Sequence, residues 1–249
     1  MSSSDFAQRP PWTRPGFIAA AALLLVVIIA GVLVAVFAIA DNGGDGAGRA
    51  PSPGAAPHGS DAPPASDAPQ ALPTAVPTAA PADVRWELVG PLAVPVSATA
   101  GPQQNTATTA SGFTRTPEGA LIAAAQLTAR ASHTLGPDYW QPTIERQFVA
   151  SADRDRLLAE YRASDSGPAD PGSLSQIAGF SFQSYTPDTA VIGLVQRAPS
   201  AGTPRYHVLS LTLLWRDGDW RMQAPPGGAW ISINRVTSDL TGVVEWGPR

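Results

Sequence analysis

The chain has 249 residues, only 14% of them charged, and a net charge of −4; its basic side chains are all arginine, with three histidines besides. That balance offers no phosphate-neutralising surface, so direct nucleic-acid binding is not expected. Cysteine is absent, which excludes both a disulfide framework and a lipid-modified cysteine anchor.

Phe17 to Ala40 (FIAAAALLLVVIIAGVLVAVFAIA) runs without a charged or amide side chain. A helix of about 20 such residues crosses the hydrocarbon core of a bilayer. Arg9 and Arg14 precede the run and Asp41 and Asp45 follow it. This asymmetry predicts a cytoplasmic stub (1–16), a single span (17–40) and an extracytoplasmic remainder, with Trp12 as an interfacial anchor. Ala38-Ile39-Ala40 before Asp41 also fits a small-x-small cleavage site. The length of the run favours a retained anchor, since the apolar part of a signal peptide is usually about 7–15 residues.

Residues 41–82 are built almost entirely from Ala, Pro, Gly, Ser and Asp, with no aromatic residue. Such a stretch buries too little apolar surface to offset chain entropy and reads as a disordered linker. Fully extended at ~3.1 Å per residue it would reach on the order of 130 Å.

Aromatic and β-branched residues return from Val84, and 83–249 is long enough for one domain with a sizeable core. Val84–Ser97 is strand-prone but carries Pro91 and Pro95, which suits an edge or a lead-in arm. Gly101–Gly112 is polar and reads as a loop. Thr116-Pro117-Glu118 then opens a helix whose apolar spacing continues to Leu135 and stops at Gly136-Pro137. A second helix is predicted from Asp138 to about Val149, and a third from Asp153, as N-cap, to Arg162.

Beyond a Gly/Pro/Asp/Ser break the hydrophobic period becomes two. Strands are predicted over Ile177–Tyr185 and Thr189–Arg197. YHVLSLTLLWRDGDWRMQ follows, in which Asp217-Gly218 is a hairpin turn requiring positive φ. A two-residue loop pairs Trp215 with Trp220 and Leu213 with Met222, on the face of Leu209 and Leu211. Both tryptophans are expected in the core. Trp230–Ile233 and Gly242–Trp246 either add a strand or pack as a closing tail.

Three helices followed by an antiparallel meander with an Asp-Gly-Asp-Trp hairpin resemble the cone-shaped nuclear-transport-factor-2-like superfamily. The whole plan of stub, span, linker and external domain resembles type IV secretion assembly factors and the TcpC-like conjugation proteins of Gram-positive bacteria. SGFTRTPEGALIAAAQL and PDYWQPTIERQFV are similar to conjugation-associated proteins of high-GC Gram-positives. The expected fold is therefore α+β, with three helices on a curved, cone-like antiparallel sheet. The resemblance implies a non-catalytic scaffold of a conjugative apparatus, with envelope-complex proteins and further copies of itself as partners. Two alternatives share the plan: a small-ligand-binding or enzymatic cone, and a helper subunit of a lipid-uptake complex.

No metal-ligand spacing, phosphate loop or nucleophile elbow occurs, so no cofactor, metal or enzymatic activity is expected. His58 falls in the linker. His133 falls at the end of the first predicted helix, where a partly exposed cation suits the dipole. His207 shares the parity of Leu209 and Leu211, at the margin of the core-facing row. It is either a satisfied histidine at the sheet edge or the mouth of a cone-shaped pocket that Tyr139, Trp140 and Glu145 would also line.

Overall fold

The structure, a computed structural model, describes residues 71–164, 169–200 and 202–248. The stub, the apolar run with its cleavage site and the linker up to residue 70 lie outside the described residues, as does His58. Residues 71–82 carry neither helix nor strand and are mostly exposed. Among the described residues no helix is long and apolar enough to cross a membrane.

Strands β1 (Val84–Val89) and β2 (Leu92–Ser97) form an antiparallel hairpin, turning at Gly90-Pro91 with Gly90 at φ 55°. The two prolines of the expected arm are thus accommodated at a turn and in a two-stranded ribbon. Pro95 cannot donate from its own nitrogen, but its carbonyl accepts from Gln126 Nε2 at 2.7 Å. The segment read as a loop contains a short ladder, β3 (Gln104–Asn105) against β4 (Ala110–Ser111).

Helix α1 (Pro117–Arg130) begins as its sequence predicts: Thr116 caps it by accepting from the Gly119 N–H at 3.0 Å, and Pro117 fills the first turn. Every residue of α1 except Glu118 is buried. A helix this apolar and alanine-rich is a central one, and it packs against β2 and against the main sheet. It ends at Arg130, earlier than its apolar spacing suggests. Ser132 adopts extended backbone angles, with its hydroxyl 2.7 Å from Thr134 Oγ1, and His133–Leu135 forms a 3₁₀ turn instead.

Arg130 is fully buried at that end. Its guanidinium donates to Gln126 Oε1, to Asn105 Oδ1 at 2.7 Å and to the Thr106 carbonyl at 2.9 Å, while Asn105 Nδ2 donates to Glu87 at 2.7 Å. Burial pulls its pKa down to about 10, against the opposing pull of Glu87, so it stays a cation at neutral pH.

Helix α2 (Pro137–Gln147) turns Trp140 and Ile144 inward. Helix α3 (Ala152–Ala163) is capped by Ser151, whose Oγ accepts from the Arg154 N–H at 3.1 Å, and not by Asp153. Asp153 already lies inside the helix, where its carboxylate accepts from the Gly227 N–H at 3.0 Å and pairs with Arg156.

The main sheet is antiparallel, in the order β10 (Val244–Glu245), β5 (Gln176–Thr186), β6 (Thr189–Ala198), β7 (Arg205–Arg216), β8 (Asp219–Met222). A further strand, β9 (Asn234–Thr237), pairs with Tyr206–Leu209, so β8 and β9 cover successive parts of β7. Register irregularities in β5 between Ile177 and Gly179 and between Phe182 and Ser184 bend the strand. The fold of the described residues is thus α+β, three helices with a mostly antiparallel sheet. Its core joins α1 to the inward row of Phe180, Ile192, Leu194, Leu211, Leu213 and Trp220.

The predicted hairpin forms with the predicted register: Trp215 opposite Trp220, Leu213 opposite Met222, Asp217 at φ 52° and Gly218 at φ 76°. Trp220 is buried, but Trp215 is only half-buried, set edge-on to Trp220 with the Arg115 guanidinium 5.6 Å from its ring. Both readings of the C-terminal segments find a place. Trp230–Ile233 is a 3₁₀ turn leading into β9, while β10 adds a short strand and Trp246 closes over Phe180 and Trp86.

Candidate functional site

Two apolar rows on neighbouring strands end in polar residues. Along β6 the inward positions Ala190, Ile192 and Leu194 lead to Gln196; along β7, Leu213, Leu211 and Leu209 lead to His207, which sits opposite Gln196 in the register. At that end the sheet leaves the core and a cavity of about 420 Å³ opens. The end of α1 and the turn after it contribute Ala125, Ala129 and His133; α3 contributes Tyr161. Leu92 of β2, Leu174 and Gln176 before and within β5, Trp230 before β9 and Asn234 at its start add to the wall.

The polar groups at this cavity are tied to one another. Trp230 Nε1 donates to Tyr161 Oη at 2.7 Å, and His133 Nε2 lies 3.1 Å from the Tyr161 carbonyl with its ring 4.4 Å from the Tyr161 ring. Burial pushes the Tyr161 phenol up to about 12, only partly countered by the indole N–H it accepts, so it is uncharged at neutral pH. Gln176 is committed to the β1–β2 hairpin: its Oε1 accepts from the Ala93 N–H and its Nε2 donates to the Pro91 carbonyl, both at 3.3 Å. His207 Nδ1 faces the Asn234 amide, 3.0 Å from Nδ2 and 3.3 Å from Oδ1.

Of the four residues singled out from sequence, His207 lines this cavity and the other three do not. Tyr139 packs against the smaller cluster of Val89, Leu92 and Val94. Trp140 is buried behind the wall, 5.9 Å from the His133 ring and edge-on to Tyr161 at 5.2 Å. Glu145 follows Ile144 by one position, a turn of about 100° on a helix, which brings it to the outside of α2. There it accepts from Gln141 at 3.0 Å and pairs with Arg162 at 2.7 Å. His133, read from sequence as a helix-terminal cation, is instead part of the cavity wall, because α1 stops short of it. The missed partners Tyr161, Trp230 and Asn234 come from three separate segments, and no local spacing ties them to His207. Gln196 was legible, as the second polar end of an apolar row.

Among the described residues no group of His, Asp or Glu side chains is gathered that could hold a metal ion. Asp219, the second acid of the Asp-Gly-Asp-Trp hairpin, is buried for another purpose. Its carboxylate accepts from the N–H groups of Gly112 (2.9 Å), Phe113 (3.1 Å) and Trp220 (2.9 Å), clamping the segment that leads into α1 onto the sheet.

Over residues 47–245 the chain matches the family described as a domain of unknown function (DUF8175), and it belongs to that family. The matched span begins within the proline-rich stretch and takes in the α+β domain almost to its end. Neither the curated proteins nor the solved structures contain a match to it.

Proposed function

We propose that this protein is a non-catalytic, single-pass membrane protein that holds its α+β domain outside the cell membrane as a scaffold of a conjugative-transfer-type envelope apparatus. The observation that carries the reading is the order of segments in the chain: arginines, the apolar run Phe17–Ala40, aspartates, a long Pro/Ala stretch, then the domain. The resemblance to secretion assembly factors supplies the process. Residues 1–16 face the cytoplasm, 17–40 span, 41–82 act as the tether and 83–249 meet the partners. Tethering confines many copies to one membrane and raises their effective concentration, so weak contacts with envelope proteins or with further copies suffice. Alkaline phosphatase fused after residue 60 is expected to be active and to remain with the membrane fraction. Activity released to the medium, on a product beginning at Asp41, would show cleavage and remove the anchor from this reading.

The cavity at His207 favours a second reading: the tethered domain binds a small molecule as well as proteins. Its size and its mixture of apolar wall with a few converging polar groups are those of ligand sites in general.

A further inference from the structure

The cavity wall narrows what it accepts. Its volume of about 420 Å³ lies within the range of small-molecule sites, about 300–1,000 Å³. Among the described residues none of the side chains lining it is a carboxylate or a guanidinium, and Tyr161 is held as a neutral phenol. An ionised ligand would therefore lose its water without gaining a charged partner of fixed geometry. Ala125, Ala129, Leu174 and Leu209 supply apolar surface to most of the wall.

Besides the buried Thr128 hydroxyl, which has no partner, hydrogen-bonding groups are left open at the sheet end of the wall. Asn234 Nδ2 is the nearer amide atom to His207 Nδ1 and can only donate; in the tautomer that matches this contact Nδ1 accepts and Nε2 is the donor. Among the described residues Nε2 has no partner, and neither has the side-chain amide of Gln196 opposite it. The imidazole and an amide able to donate thus lie side by side at the polar end of an apolar chamber.

Resting on the ligand-pocket reading above, we infer that the cavity binds an uncharged, mostly apolar small molecule bearing a carbonyl-type acceptor that takes a hydrogen bond from His207 Nε2. An alkyl ketone has this form; the matching alkane lacks the acceptor, and the matching fatty acid carries a charge.

The test is calorimetric titration of the full chain in lipid nanodiscs with 2-nonanone, n-nonane and octanoate at pH 8. Partition into lipid is removed by comparison with two cavity-filling variants, Ala93→Phe and Ser175→Phe, both at half-buried lining positions. Variants enter the comparison only if their melting is native-like. Saturable binding of 2-nonanone is expected, about tenfold tighter than either analogue, the worth of one hydrogen bond. It should vanish in each filled variant whose melting is native-like, and His207→Phe should bring the ketone down to the level of the alkane. Octanoate binding as tightly as 2-nonanone, or an unchanged ketone preference in His207→Phe, would overturn the ligand class while leaving the pocket reading intact. Absence of saturable binding by all three probes, or binding that survives in a folded filled variant, would overturn the pocket reading as well.

Discussion

Truncating Trp220 to alanine is expected to destabilise the domain by about 3–5 kcal/mol, the usual range for removing a large aromatic side chain from a packed core. The ring is only 1% exposed. It meets Trp215 edge-on at 5.4 Å and Tyr185 at 6.1 Å, and its Nε1 donates to the Thr114 carbonyl at 2.9 Å. Alanine would leave a void beneath α1 and remove one of the two hydrogen bonds on the Thr114 carbonyl, which the Thr116 N–H alone would then hold. The same change at Trp215 should cost clearly less, because that ring is half-buried and already borders solvent. Urea unfolding of the domain from residue 71 checks both; equal losses, or a native-like midpoint for Trp220→Ala, would contradict this account of the core.

Asp219→Ala is expected to cost about 2–4 kcal/mol, because it removes the common acceptor of several backbone N–H groups, each costing about 1–3 kcal/mol if left buried and unpaired. The amides concerned are those of Gly112 and Phe113, more than a hundred positions away in the chain, and of Trp220 beside it. Asp219→Asn keeps one acceptor oxygen in nearly the same volume and should lose about half as much. Unfolding free energies of the two variants decide the matter. If Asp219→Ala unfolds like the parent chain, the clamp between the hairpin and the α1 lead-in is not a determinant of stability.

The two effects mark the limit of what the sequence shows. Asp217-Gly218 could be read as a turn because positive φ at two successive positions demands such residues, and the alternation on either side then fixed the register of Trp215 with Trp220. The start of α1 was equally legible in Thr116-Pro117-Glu118, since capping is a local matter. Long-range roles left no such trace. Asp219 looks like one more turn acid until its carboxylate is found on Gly112 and Phe113. Arg130 looks like a favourable cation at a helix end, whereas it is buried and hydrogen-bonded to Asn105 and Gln126. The same holds for the cavity: its polar ends on β6 and β7 follow from parity, but Tyr161 and Trp230 arrive from elements whose docking no spacing encodes. Glu145 shows the converse error, a carboxylate grouped with Tyr139 and Trp140 in one pocket and turned outward by one helical step from Ile144.

The most direct test of the proposed role is conjugative transfer from a donor in which this gene has been deleted from its element. The full chain supplied in trans is predicted to restore the lost transfer. Residues 41–249, exported behind a cleavable signal and therefore untethered, are predicted not to do so at comparable abundance. Transfer that is unchanged by the deletion would contradict the conjugation role, and full restoration by the untethered domain would contradict the requirement for an anchored scaffold.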